Sequence, residues 1–194
     1  MAAEYLVNNL AAAASILTLA EPKPSIQAVY KLLQESNGFL VVSGTYWSNW
    51  GSPLQRFMEV ITSFENSSAL FGKPLACAVT MESVGGSDIA ARLHAVFSGL
   101  GCWSPPCSTL VVSRVGQEAI LASQNKNNDP NEDVWRVDDL EIVLKNLVTA
   151  TTMQNEFYVS WPHVTLHIPE GPWPETGILD FHTPQFISPG STNN

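Results

Sequence analysis

Apolar residues recur every three or four positions at the start of the chain. Tyr5, Leu6, Leu10 and Ala13 fall on one side of a helix predicted over residues 2–14. The run SILTL at 15–19 predicts a short buried strand, closed by the EPKP turn at 21–24. Ser25 stands where it can cap a helix over 26–35, whose apolar stripe is Ile26, Val29, Tyr30 and Leu33 and which Asn37-Gly38 stops. The run FLVVS at 39–43 is apolar without alternation, so it predicts a strand covered on both faces, as in the interior of a parallel sheet.

The same grammar continues. A loop over 44–53 leads to a helix over 54–64, and GKP at 72–74 precedes a second buried strand, LACAV at 75–79. The loop 80–86 leads to a helix ending at Leu100, and a third strand covers 109–113. A polar, Asn-rich linker over 123–131 precedes a last helix over 137–154. Strands alternating with helices across short connections select an open parallel sheet with helices on both faces. After Ser160 the chain turns rich in Pro and Trp, with VTLHI at 164–168 as its one strand-like piece. The expected organisation is an α/β domain over 1–159 and an irregular extension over 160–194.

Composition narrows the function. Only 14% of the residues are charged while six are Trp, so some apolar surface is expected to face a ligand or a partner subunit. The net charge is −9 and the nine basic residues are scattered, which leaves no electrostatic footprint for nucleic acid or anionic lipid. Three cysteines without a CxxC pair argue against a disulfide framework or zinc site and for a reducing cytoplasm. The Ala-rich start lacks the basic residues of a signal peptide and is interrupted by Glu4, Asn8 and Asn9. No run is long enough to span a bilayer.

In an open parallel sheet, ligands bind beyond the carboxyl ends of the strands. Two loops leave such ends. In the first, Tyr46, Trp47 and Trp50 crowd beside Gly44 and Gly51, with Pro53 set for a first helical turn. Aromatics there stack on a flat ligand, or else they cap the sheet or plug a dimer interface. In the second, Gly85-Gly86 before a helix leaves amide donors that suit a carbonyl-rich or anionic ligand, or simply makes an ordinary strand-to-helix turn.

Other candidates have plainer readings. His163 and His167 read as surface histidines, so no metal site is expected, and His94 reads as helix surface or dimer contact. Cys77 reads as packing inside a strand. Cys102 and Cys107 have no basic neighbour to activate them. Asp138 and Asp139 suit the positive end of the last helix.

The stretches SGTYWSNWGSPLQRFMEVI, LFGKPLACAVTMESVGG and RLHAVFSGLGC, in this order, resemble the NADPH-dependent FMN reductase family, whose fold is flavodoxin-like. The match runs over roughly residues 25–112, and the last helix with its NEDVW and DD approach is similar too. The resemblance implies an FMN-dependent oxidoreductase that takes hydride from NAD(P)H and reduces free flavin, quinone or a similar acceptor by a ping-pong route. It implies that Thr45, Tyr46, Trp47 and Asn49 edge the isoalloxazine ring, while Ser83, Val84, Gly85 and Gly86 contact its pyrimidine side. No side chain is then needed as nucleophile or general base. It further implies a homodimer or homotetramer, for which the helix face Leu54, Phe57, Met58 and Ile61 is suited.

One departure stands out. Family members begin with a strand and a Ser/Arg-rich loop that wraps the FMN phosphate, and no such loop precedes Ala2. Three explanations stay open: a truncated product, a flavin-free domain serving as a binding or assembly module, or residues 164–168 filling the central vacancy in the sheet.

Overall fold

The computed structural model describes residues 2–22, 24–123, 138–153, 158–160 and 168–174. Helix α1 (Ala2–Leu10) is followed by α2 (Ile26–Glu35), strand β1 (Phe39–Gly44), helix α3 (Ser52–Ile61) with a 3-10 turn, and strand β2 (Leu75–Met81). Helix α4 (Gly86–Gly99), strand β3 (Thr109–Ser113) and helices α5 (Arg114–Ser123) and α6 (Asp138–Thr151) complete the order.

The three strands pair in parallel in the order β1-β2-β3, with Phe39 opposite Leu75 and Cys77 opposite Thr109. Side chains of β2 alternate between two apolar layers. Leu75, Cys77 and Val79 join Ile26, Val29, Leu54, Phe57, Ile89 and Leu93 from α2, α3 and α4. Ala76 and Ala78 join Leu140, Val143, Leu144 and Leu147 of α6, against which Tyr5, Leu6 and Leu10 of α1 pack. The sheet therefore carries helices on both faces, the flavodoxin-like arrangement expected.

Several boundaries have clear local causes. Ser25 caps α2 by accepting from the Ala28 amide at 3.2 Å. Lys73, from the GKP motif, donates from Nζ to the Leu33 and Gln34 carbonyls at 2.6 and 2.9 Å, placing a cation on the carbonyl end of α2. Helix α1 ends earlier than the pattern suggests. Ala11 adopts φ 50°, and the Ala12 amide bonds back to the Leu6 carbonyl, closing the helix at Leu10.

Two sequence expectations fail for one reason. Residues 15–19 are not a strand: Ile16 is 77% exposed, and only Leu17 and Leu19 lean on the core. Strand β1 is covered only in part: Phe39 and Val41 pack on one apolar layer and Leu40 on the other, but Val42 is 59% exposed and no strand pairs with its outer edge among the described residues. An apolar run becomes a strand only where a neighbour accepts its hydrogen bonds, and β2 alone has neighbours on both sides. Residues 164–167, proposed to fill that vacancy, lie outside the described residues, as do His163 and His167. Ile168 itself is not in a strand and packs with the cluster of α2 and α3.

Three further features differ from the sequence expectations or add to them. Leu54, Phe57, Met58 and Ile61 are all buried in the chain's own core, so that helix face is not available to a partner subunit. His94 lies half-buried on the surface of α4, where its ring nitrogens meet Ser104 Oγ at 2.6 Å and Thr109 Oγ1 at 2.7 Å, joining α4 to the start of β3. Helix α5 was not foreseen. Its single buried residue is Gln117, while Val115 and Ile120 are exposed, so no apolar stripe announces it.

Part of the C-terminal segment is held to the core. Trp173 stacks on Phe57 with ring centres 5.8 Å apart, and the Ile26 amide donates to the Gly171 carbonyl at 3.2 Å. Among the described residues, no helix is long and apolar enough to cross a membrane.

Candidate functional site

The parallel pairing of β1 and β2 brings their carboxyl ends side by side, so the loops leaving them start as neighbours. The Thr45 amide donates to the Thr80 carbonyl at 3.0 Å and ties the first loop to the exit of β2. The chain then reverses within two residues. Tyr46 and Asn49 exchange main-chain hydrogen bonds of 2.6 and 2.9 Å across Trp47 and Ser48.

Trp47 and Ser48 have φ of 47° and 59°, so both central positions of this turn are left-handed. That is the mirror-type turn that ordinarily recruits Asn-Gly. Holding two non-glycine residues there costs roughly 1–3 kcal/mol each, which surrounding contacts must offset.

The turn projects its aromatics. Trp47 is fully exposed and Tyr46 is 66% exposed. A Cβ on Gly51 would sit 3.4 Å from the Tyr46 ring, and one on Gly44 would sit 3.8 Å from it, so the ring lies against both glycines. Trp50 turns the other way, packing on the core and donating from Nε1 to Gln55 Oε1 at 2.8 Å.

The second loop meets the first. Gly85 has φ 93°, and a Cβ there would lie 3.5 Å from Ser48 Oγ and 3.6 Å from Ser48 Cα. Ser83 and Val84 are exposed beside this junction. Gly86 departs from the expected outward-facing amide pair. It is buried, its N–H points at Met81 Sδ at 3.2 Å, and a Cβ would fall 2.5 Å from Val111 Cγ1. Its missing side chain serves the seating of α4 on β3.

Thr45, Tyr46, Trp47, Asn49, Ser83, Val84 and Gly85 are thus gathered at one rim of the sheet, with Gly86 beneath them. Sequence reasoning missed Arg92. Its guanidinium donates to the Ser48 carbonyl at 2.6 Å and to Asn49 Oδ1 at 3.2 Å, and lies 5.0 Å from the centre of the Trp50 ring. Two signals were present. Arg92 is the sole basic residue between Lys73 and Arg114, and Asp88 stands four positions before it. They read as an ordinary surface pair, and Asp88 does bond Arg92 Nε at 3.0 Å.

The profile of the NADPH-dependent FMN reductase family matches residues 5–117, more than half of the chain and both loops. The chain belongs to that family. As a member of the FMN reductase family it is an oxidoreductase with FMN as cofactor and NADPH as co-substrate. No curated protein matches it.

Among solved structures, an NADPH-quinone reductase from P. pentosaceus is 14% identical, with 66% of this chain and 88% of that one covered at a TM-score of 0.43. RosB, solved with bound 8-demethyl-8-formylriboflavin-5'-phosphate, is 11% identical, with 78% of this chain and 69% of that one covered at a TM-score of 0.50. The likeness to RosB concerns the fold.

The rim suits the ring end of the reductase family's cofactor. It offers exposed aromatics, an amide side chain, a hydroxyl and peptide groups, a largely uncharged set matched to a flat heterocycle. Residues 2–22 contain no Lys or Arg, so they offer no cationic side chain to the phosphate end.

Elsewhere, the buried thiols Cys77 and Cys102 are each pushed up to about 12 by burial, so neither acts as a nucleophile. Among the described residues no cluster of His, Cys, Asp and Glu forms a metal site.

Proposed function

We propose that the two apposed turns hold the isoalloxazine ring of FMN, and that the chain passes reducing equivalents from NADPH to free flavin, a quinone or a similar flat acceptor. The observation that supports this reading is the apposition of Ser48 and Gly85, which brings two loops remote in sequence to one rim of the sheet. Tyr46, Trp47 and Thr45 line one side of the ring, and Asn49 offers its amide to the ring's polar edge. The peptide groups of Ser83, Val84 and Gly85 face the pyrimidine side, with Gly86 supporting that turn from below.

FMN supplies the two-electron chemistry when bound. The chain's part is to orient the ring, keep one face open to reductant and acceptor in turn, and exclude water from the other. No acid, base or nucleophile is assigned. A cytoplasmic, dimeric or tetrameric enzyme belongs to the same proposal. With Leu54, Phe57, Met58 and Ile61 buried internally, self-association is supported by family membership alone.

Titrating the purified chain with FMN and following flavin fluorescence tests the reading. Saturable quenching, followed by bleaching of the flavin absorption bands on adding NADPH, is the expected result. A colourless protein that leaves FMN fluorescence unchanged would overturn it in favour of a flavin-free binding or assembly module.

A further inference from the structure

The aromatic turn is costly in itself. Trp47 and Ser48 both occupy the left-handed region without being glycine, and Trp47 projects fully into solvent with no core contact to anchor it. Only two main-chain hydrogen bonds, between Tyr46 and Asn49, close the turn from within. Something outside it must offset the strain.

Arg92 meets two residues of the turn and the one that follows it. It donates to the Ser48 carbonyl at 2.6 Å and to Asn49 Oδ1 at 3.2 Å, and its guanidinium lies 5.0 Å from the ring centre of Trp50. Asp88, one turn earlier on α4, bonds Nε at 3.0 Å and fixes the fork's direction. These contacts span 43 and 44 positions of sequence and join the helix that follows the second loop to the body of the first. The planar fork divides these partners among its three nitrogens, Nε to Asp88 and the two terminal nitrogens to Asn49 Oδ1 and the Ser48 carbonyl, a spread that the one nitrogen of a lysine does not reproduce.

We infer that Arg92 is the positioning residue of the candidate flavin site. It clamps the 46–49 turn in its left-handed form so that Tyr46, Trp47 and Asn49 stand opposite Ser83–Gly85. In this role Arg92 does not hold the flavin itself; it acts through the turn. The consequence for affinity rests on the proposed flavin reading, whereas the clamp does not.

Hydrogen exchange separates the two. In Arg92→Met, which keeps an unbranched side chain but removes the guanidinium, the Tyr46 and Asn49 amides should exchange about tenfold faster, while core amides such as Val79 keep their protection. Adding Ser48→Gly, which adopts the left-handed conformation without strain, should restore protection to the turn. Arg92→Lys should behave like Arg92→Met, and it serves as the second variant should Met fail to fold.

FMN affinity should follow in step, about tenfold weaker in Arg92→Met and recovered with Ser48→Gly. Unchanged exchange at Tyr46 and Asn49 in both Arg92 variants overturns the clamp. Failure of the unmodified chain to take up FMN overturns the flavin reading alone, and exchange still decides on Arg92.

Discussion

Gly85 faces Ser48 across the space of one methyl group. A methyl group on Gly85 would lie 3.5 Å from the Ser48 hydroxyl, and the backbone at Gly85 has φ 93°. The two loops are therefore parts of one surface, and the second approaches the first at a residue without a side chain. Gly85→Ala is expected to cost about 1–2 kcal/mol through the left-handed backbone alone. The methyl itself fits at van der Waals distance from Ser48, so FMN binding is expected to weaken only as far as the backbone at residue 85 leaves its left-handed conformation. Urea unfolding and a flavin titration on the same variant measure both effects.

Gly86 is constrained differently, by proximity to Val111 across α4 and β3. Gly86→Ala places a Cβ 2.5 Å from Val111 Cγ1, an overlap expected to cost about 1–3 kcal/mol. Val111→Ala opens that space, so the double variant should be less destabilised than the sum of the two singles. A double-mutant cycle of unfolding free energies tests it, and strict additivity would count against the contact.

Lys73 explains the lysine of the GKP motif. Its ammonium bonds two carbonyls at the end of α2, and burial holds its pKa below the ordinary lysine value. Lys73→Met removes the ammonium that lies 5.7 Å from the Phe39 ring centre and leaves both carbonyls unserved, and is expected to lower stability by about 1–2 kcal/mol. Thermal or urea midpoints with an unchanged FMN titration would place the loss in the scaffold.

The three cysteines should separate cleanly in reactivity. Cys77 and Cys102 are buried thiols pushed up to about 12, whereas Cys107 is exposed. Iodoacetamide at pH 8 should modify Cys107 in the native protein and reach the other two only after unfolding. Peptide mass mapping reads the result, and rapid labelling of Cys77 would contradict the β2 assignment.

His94 gives a pH dependence. Burial lowers its pKa below the ordinary value of about 6.5, and both ring nitrogens meet hydroxyls, Ser104 and Thr109. With the folded pKa depressed, the unfolded chain takes up the proton first as pH falls. The contribution of His94 is complete above about pH 6.5 and declines below it, until the folded ring also protonates. Urea midpoints measured from pH 7.5 to pH 5 should fall less steeply in His94→Gln than in the parent.

How much of this was legible in the sequence varies residue by residue. The helix at Ile26–Glu35 and the strand at Thr109–Ser113 follow the expected bounds, because a cap, a stop and an apolar run each act locally. The two loops were legible because strand ends and glycines mark them. Arg92 was hidden behind Asp88, its nearest charged neighbour in sequence. Its more telling partners, Ser48 and Asn49, become neighbours only when β1 and β2 pair.

The sequence by itself determined the alternation of strand and helix, the parallel sheet and the position of both loops, since periodicity and turn chemistry report the immediate surroundings of each residue. Tertiary structure decided which apolar run is interior. FLVVS and LACAV look alike as strings, yet β2 is flanked on both sides while β1 leaves Val42 exposed and residues 15–19 never become a strand. It also decided the apposition of Ser48 and Gly85 and the grip of Arg92 on the aromatic turn. A strand's neighbours and a side chain's distant partners are set by how elements stack, and hydrophobic pattern along the chain carries no term for that.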